Sequence, residues 1–139
     1  MRRTFIFDLE GTLAISNWRE SWIPNWDRFH ELFPFDRPNI TMINLLGDVY
    51  AAGHNVVILT GKMDNNRKDA EAWLRRWGVS YSWLEMRKAG DVRRSTSFKE
   101  EYVLKFPKDE IAMIFDDRED IIKHFDMLGY PTYKVEVKL

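Results

Sequence analysis

The stretch Arg3-Thr4-Phe5-Ile6-Phe7-Asp8-Leu9-Glu10-Gly11-Thr12-Leu13-Ala14 decides the fold. A short apolar run reads as a buried strand, and it stops on a carboxylate, a spacer, a second carboxylate and a glycine. In an open α/β sheet, ligands bind outside the carboxyl ends of the strands, so Asp8 is expected to point into a crevice while the strand behind holds it still. Far down the chain, Ile111-Ala112-Met113-Ile114-Phe115 runs in the same way into Asp116-Asp117. Two buried strands that each deliver acids at that edge bring like charges together, which is tolerable with a cation between them. The expected cation is Mg²⁺.

The intervening elements follow outward from these two runs. Asn39 is placed to cap a helix through Met42, Leu45, Leu46, Val49 and Tyr50, with Gly53 as its stop. Asn55 to Leu59 is a second buried strand ending on Thr60-Gly61-Lys62. A hydroxyl followed by a glycine suits an anionic oxygen, and it equally suits an ordinary turn. From Asn65 or Asn66 to Trp77 an amphipathic helix sets Ala70, Trp73, Leu74 and Trp77 on one side; Gly78 ends it and Val79 to Met86 makes a third strand. Ser95 or Thr96 is placed to cap a helix through Tyr102 and Leu104, which sets Lys99 near the strand ends. Arg118 to Gly129 forms a helix with Ile121, Ile122, Phe125 and Leu128 inward. Thr132 to Val137 forms a last strand, at an edge because Lys134, Glu136 and Lys138 alternate. The order βαβαβαβαβ predicts an α/β fold with a doubly wound, Rossmann-like, mainly parallel sheet.

The 139 residues suit one domain, and 45% hydrophobic with 31% charged residues suits an ordered globular one. A net charge of -1 means that any nucleic-acid contact comes from a local patch. The lack of cysteine excludes a disulfide framework, a thiolate metal site and a thiol nucleophile. Arg2-Arg3 is followed by an acid and no apolar region, so it does not read as an export signal, and no run approaches the roughly 18 apolar residues of a membrane helix. The expected location is the cytoplasm, with no membrane partner and no obligate protein partner. His30, His54 and His124 are too scattered for a zinc site.

Residues 15–38 interrupt the pattern as a small insertion, dense in Trp18, Trp22, Trp26, Phe29, Phe33 and Phe35, and carrying Arg19, Arg28 and Arg37. These rings either pack the segment onto the domain or form a lid or platform beside the crevice, where aromatic faces stack on a base and Arg holds a phosphate. The concentrated basic patch runs from Arg87 through Lys88, Arg93 and Arg94 to Lys99. It is either a solvated face or a phosphate-binding one, and its place after a strand end favours the second.

Asp8 and Glu10, Thr60, Lys99 and the pair Asp116-Asp117 then converge at one edge, a set that fits phosphoryl transfer to an aspartate. Asp8 is the expected nucleophile. Glu10 is the expected proton donor to the leaving oxygen and later the acceptor from water. Asp8, Asp116 and the backbone carbonyl of Glu10 would hold Mg²⁺, with Asp117 assisting the metal or orienting Lys99.

Here the chain resembles a known family. FDLEGTLA, ILTGK, Lys99 and IFDDR are similar, in order and spacing, to the four motifs of the haloacid dehalogenase superfamily of phosphatases. Within it, the chain most resembles the 3′-phosphatase domain of phage-type polynucleotide kinase-phosphatases, through Arg19 at its offset from Asp8, Arg87…Gly90-Asp91…Arg93, Lys99-Glu100-Glu101 and Asp116-Asp117-Arg118. The resemblance implies Mg²⁺-dependent removal of a 3′-phosphate from DNA or RNA ends, with Arg19, Gly61, Lys62, Arg87 and Arg93, and also Arg94, on the substrate. The chain departs from the family in having Glu10 for an aspartate, Lys62 for an arginine, and Ser95 or Thr96 where an acid is expected. No GxxxxGK[ST] occurs, so the expectation is a free-standing phosphatase domain, residues 1–139. The alternatives are a nucleotidase or other small-molecule phosphatase of the same superfamily, and a non-catalytic module that binds phosphorylated ends. A phosphoacceptor receiver domain is disfavoured, because its acid pair follows the first strand.

Overall fold

The structure, a computed structural model, describes residues 1–137. Its centre is Thr4–Phe7 (β1), a strand with apolar side chains on both faces. Around it the chain forms Ala14–Ile15 (β2), Trp26–Glu31 (α1), Arg37–Pro38 (β3), Ile40–Ala51 (α2), Asn55–Met63 (β4) and Arg67–Arg76 (α3). Trp83–Arg87 (β5), Ser95–Val103 (α4), Ile111–Asp116 (β6), Glu119–Met127 (α5) and Thr132–Lys134 (β7) follow. Five strands pair in parallel in the order β5-β4-β1-β6-β7, and β2 and β3 form a separate antiparallel pair at the base of the insertion. This is the doubly wound α/β sheet expected from the sequence.

Alternation along the strands divides the core. Phe7, Val56, Ile58 and Leu84 face Met42, Ile43 and Leu46 of α2 and Ala70, Trp73 and Leu74 of α3. Ile6, Val57, Leu59 and Ile114 face Phe98, Tyr102 and Val103 of α4 and Ile121 and Phe125 of α5. Each buried Leu, Ile or Phe contributes about 1.5–3 kcal/mol of apolar burial, so both faces of β1 are clamped. From β1 the chain builds out to β4 and β5, then returns past β1 to lay down β6 and β7. The two connections leave in opposite directions, and a crevice opens at that switch point, beside Asp8.

Local boundaries shift where tertiary pairing overrides sequence signals. The third strand begins at Trp83, because Val79 closes the turn after α3 by donating to the Leu74 carbonyl (2.9 Å). Thr60-Gly61-Lys62 is no turn: β4 continues to Met63 across an irregularity in its pairing with β5, where Met63 meets Arg87. Neither Ser95 nor Thr96 caps α4; Arg94 occupies that position, and the Ser95 hydroxyl accepts from Arg87 instead. Leu128 lies beyond α5 and is exposed, as are Leu45 and Tyr50 at the flank of α2. Asn39 does cap α2, its side chain accepting from the Met42 amide at 3.4 Å. The last strand is an edge strand but ends at Lys134; Lys138 of the expected alternation lies outside the described residues. No helix is long and apolar enough to cross a membrane among the described residues.

Candidate active site

Asp8 leaves β1 with its amide donating to the Phe115 carbonyl at 3.0 Å, so the two acid-bearing strand ends are locked together. The Lys99 ammonium, carried on the second turn of α4, donates to Asp8 Oδ1 at 3.0 Å and to Asp116 Oδ2 at 2.7 Å. Asp116 Oδ1 accepts from the Arg118 amide at 3.0 Å. Asp117 completes the group, and one carboxylate oxygen from each of Asp8, Asp116 and Asp117 lies within 4.8 Å of the others. Asp117 lies over the loop after β1, against Gly11, whose φ is +87°; a methyl there would overlap the Asp117 carboxylate.

Three buried or half-buried carboxylates lie together with one ammonium, which bonds two of them, and their proton affinities record the crowding. Burial, and then Asp116, push Asp8 well above the usual carboxylate range despite Lys99. Burial and Asp116 push Asp117 up to about 6. Burial alone would lower Lys99, but Asp8 and Asp116 reverse this and hold it above its usual range. Asp117 Oδ1 is buried with no hydrogen-bond partner. An orphaned carboxylate oxygen beside two more, all hard donors, fits a small divalent cation such as Mg²⁺.

Glu10 belongs to a second network that reaches into the insertion. Its Oε2 accepts from Arg19 Nη2 at 2.6 Å, and its Oε1 lies 3.7 Å from Lys62 Nζ. Arg19 is fully buried: Nε and Nη2 hold both oxygens of Asp36 at 2.8 and 2.6 Å, and Nη1 donates to the Phe29 carbonyl at 3.0 Å. Its guanidinium lies 4.3 Å from the Phe29 ring centroid and 5.6 Å from that of Phe33. Burial alone would raise Glu10, but Lys62 and then Arg19 outweigh it and hold the carboxyl below its usual range. Lys62 is itself lowered by burial, and His30 Nδ1 lies 3.2 Å from its ammonium.

A cavity of about 450 Å³ joins the two networks, lined among others by Asp8, Glu10, Thr60, Gly61, Lys62, Lys99 and Asp117. The Thr60 hydroxyl accepts from the Lys62 amide at 3.1 Å, which leaves its proton free for an oxygen in the cavity. The expected arginines are elsewhere. Arg19 is sealed behind Glu10, so the expectation that it tracks a nucleic-acid backbone gives way to a role in holding that carboxylate. Arg87 is buried too, donating to the carbonyls of Gly61, Asp91 and Arg93 and to Ser95, a brace for the loop before α4. Arg93 is exposed but paired with Asp91 and Glu101, and neither it nor Arg94 lines the cavity. The cavity wall instead recruits Ile23, Trp26 and His30 from the insertion, and Arg118 after the late acidic doublet. The aromatic density of residues 15–38 was the signal for the first group. It divides: Phe29 and Phe33 pack inward, Trp26 stands at the cavity, and Phe35 is exposed.

Residues 2–138 match the family model of the polynucleotide kinase PNKP phosphatase domain. The chain belongs to that family. It is a phosphatase-family chain of the haloacid dehalogenase type, a class of phosphoric monoester hydrolases. Its fold is similar, at TM-score 0.83 and 23% identity over 99% of its length, to 47% of a chain of the Pnkp1/Rnl/Hen1 complex. A second such structure gives TM-score 0.83 and 24% identity over 97% of this chain and 43% of the other. This PNKP-type domain thus spans about half the length of those chains. A haloacid dehalogenase-like hydrolase from Streptococcus pneumoniae has the same fold at TM-score 0.66 and 10% identity, over 96% of this chain and 84% of its own. No curated protein sequence matches the chain.

Proposed function

We propose that the protein removes the 3′-phosphate from nucleic-acid ends in a Mg²⁺-dependent reaction through an acyl phosphate on Asp8. The observation that carries this is the cluster of Asp8, Asp116 and the half-buried Asp117, with Lys99 bridging the first two, opening on a cavity that also holds Glu10 and Thr60. Asp8, Asp116, Asp117 and the backbone carbonyl of Glu10 would hold the Mg²⁺, which when bound neutralises phosphate charge and draws the phosphorus towards Asp8. The carboxylate of Asp8 attacks phosphorus and the bond to the 3′ oxygen breaks. Lys99 keeps the Asp8 oxygen in place and offsets charge on the phosphoryl group, and Thr60 donates to a phosphoryl oxygen. Glu10 rests as a carboxylate; the arriving phosphate opposes Lys62 and Arg19 and raises its proton affinity, so that in its acid form it protonates the leaving 3′ oxygen. Water then attacks the phosphorus of the Asp8 acyl phosphate while Glu10, ionised again, takes its proton; the bond from phosphorus to the Asp8 oxygen breaks, which frees the Asp8 carboxylate and releases inorganic phosphate.

Nucleic acid as the substrate is supported by the PNKP family and by the likeness to chains of what is described as an RNA repair complex. A mononucleotide phosphatase is the second reading, favoured by a cavity whose cationic lining is limited to Lys62, Lys99 and Arg118 among the described residues. A 3′-phosphorylated oligonucleotide, assayed beside free 3′- and 5′-mononucleotides with Mg²⁺ and with chelator, separates them. Phosphate release from the oligonucleotide in Mg²⁺ alone is the expected result; a strong preference for free nucleotides overturns it.

A further inference from the structure

We infer that Trp26, with Ile23 and His30 beside it, is the docking face for the base of the terminal nucleotide whose 3′-phosphate meets Asp8. The inference rests on the nucleic-acid reading above. The cavity has two unlike ends, carboxylates and Lys99 at one and the insertion at the other. Phe33 is buried and Phe29, although it reaches the cavity wall, keeps only 9% of its surface exposed and lies under the Arg19 guanidinium. Trp26, by contrast, lines the cavity and keeps 51% of its surface exposed, with its ring edge-on to Phe29 (5.6 Å between centroids) and near-parallel to His30 (6.2 Å, 27°).

His30 is held for the same task. Lys62 is a donor only, so His30 Nδ1 accepts from it and the ring proton sits on Nε2. Burial, and then the Lys62 charge, hold the imidazole below its usual proton affinity, so a flat, uncharged ring backs Trp26.

The charges argue that this face matters. Of the cavity's cations, Lys99 is committed to Asp8 and Asp116, Lys62 to Glu10 and His30, and Arg118 pairs with Asp120 outside. Arg19, Arg87 and Arg93 do not line the cavity and are already paired, Arg19 with Glu10 and Asp36, Arg87 with Asp91, and Arg93 with Asp91 and Glu101. The cavity wall thus offers the strand no uncommitted cation among the described residues, and binding beyond the phosphate falls there to apolar faces. The group one sugar away from a 3′-phosphate is a base, which stacks on such a face whatever its identity, and a cavity of about 450 Å³ suits one nucleotide.

The test compares kcat/KM for a 3′-phosphorylated oligonucleotide bearing its terminal base with one whose terminal residue is abasic. Stacking predicts a ratio of about 10 to 100 for the wild-type protein, a ratio near one for Trp26→Ala, and most of the ratio kept by Trp26→Phe, which retains a stackable ring. A wild-type ratio near one, an equal loss on both substrates in Trp26→Ala, or collapse of the ratio in Trp26→Phe overturns the subsite. A wild-type protein that hydrolyses p-nitrophenyl phosphate but neither oligonucleotide refutes the nucleic-acid reading itself, and the subsite with it.

Discussion

Replacing Arg19 by methionine removes the cation between two carboxylates while keeping an apolar stem of similar length. Four hydrogen bonds go with it, two to Asp36, one to Glu10 and one to the Phe29 carbonyl. The larger effect is what stays behind. Asp36 has no side-chain exposure, and its remaining side-chain donor is Trp18 Nε1 at 2.8 Å. Breaking a buried pair by removing one partner costs about 3–5 kcal/mol, because the other charge is left uncompensated. Set against a total stability of about 5–15 kcal/mol, Arg19→Met should leave a folded but weakened domain. In a chain of this length each kcal/mol moves the melting point by about 3 to 4 °C, so the expected drop is about 10 to 20 °C. Calorimetry on the single variant and on Arg19→Met/Asp36→Asn checks the cause: removing the orphaned charge should restore about half of the loss. A drop under about 3 °C in the single variant, or no recovery in the double, refutes the buried network as the element that holds the insertion down.

Four further outcomes test the site. Lys99→Met should lower turnover at least about 100-fold, the scale for losing one well-placed donor to a developing anion; an unchanged rate means that the wrong lysine has been singled out. With p-nitrophenyl phosphate, whose leaving group needs no proton, Glu10→Gln should leave the fold intact and slow hydrolysis of the Asp8 acyl phosphate by about 100-fold or more, so that labelled phosphate accumulates on the protein; slow turnover without accumulation on that substrate refutes its role as the water's base. Mg²⁺ should raise the melting point of the wild-type protein and do so less for Asp117→Ala, since a ligand that binds only the native state stabilises it; equal shifts would place the ion elsewhere. In chelator the melting point should fall as the pH rises from 5 to 7. Asp117, held at about 6, keeps in the native state a proton that the unfolded chain has already released, Asp8 shifts in the same direction, and stability is therefore lost as these protons leave. A melting point that climbs over that window refutes the crowding of acids.

The carboxylates of this site were legible because a buried parallel strand announces itself. Both faces must be apolar, so Phe5-Ile6-Phe7 and Ile111 to Phe115 read as continuous runs, and the acid that ends each run must sit at the crevice edge. Lys99 was legible only through its place before the last acidic strand. The arginines were misread for the opposite reason. A guanidinium in a sequence reads as surface, and whether it is buried depends on partners brought from afar: Arg19 needs Asp36, and Arg87 needs the Gly61 carbonyl and the Phe98 ring at 5.1 Å. Asp36 carries no local mark at all, lying between Phe35 and Arg37 in a stretch with no periodicity.

The residue that looks least suited in the sequence is the one this second network explains. Glu10 reads as a departure, one methylene longer than the family's aspartate. In the folded chain that length carries its carboxylate away from Asp8, Asp116 and Asp117, which already crowd one ammonium, and towards Arg19 and Lys62. A shorter acid at position 10 would retreat from both cations by about 1.5 Å, one carbon–carbon bond. Arg19 in turn is tied through Asp36 to the far end of the insertion, and Lys62 to His30 on α1. The extra methylene therefore couples the carboxylate proposed to handle the proton to the segment that walls the cavity, and a change that loosens one must be felt by the other.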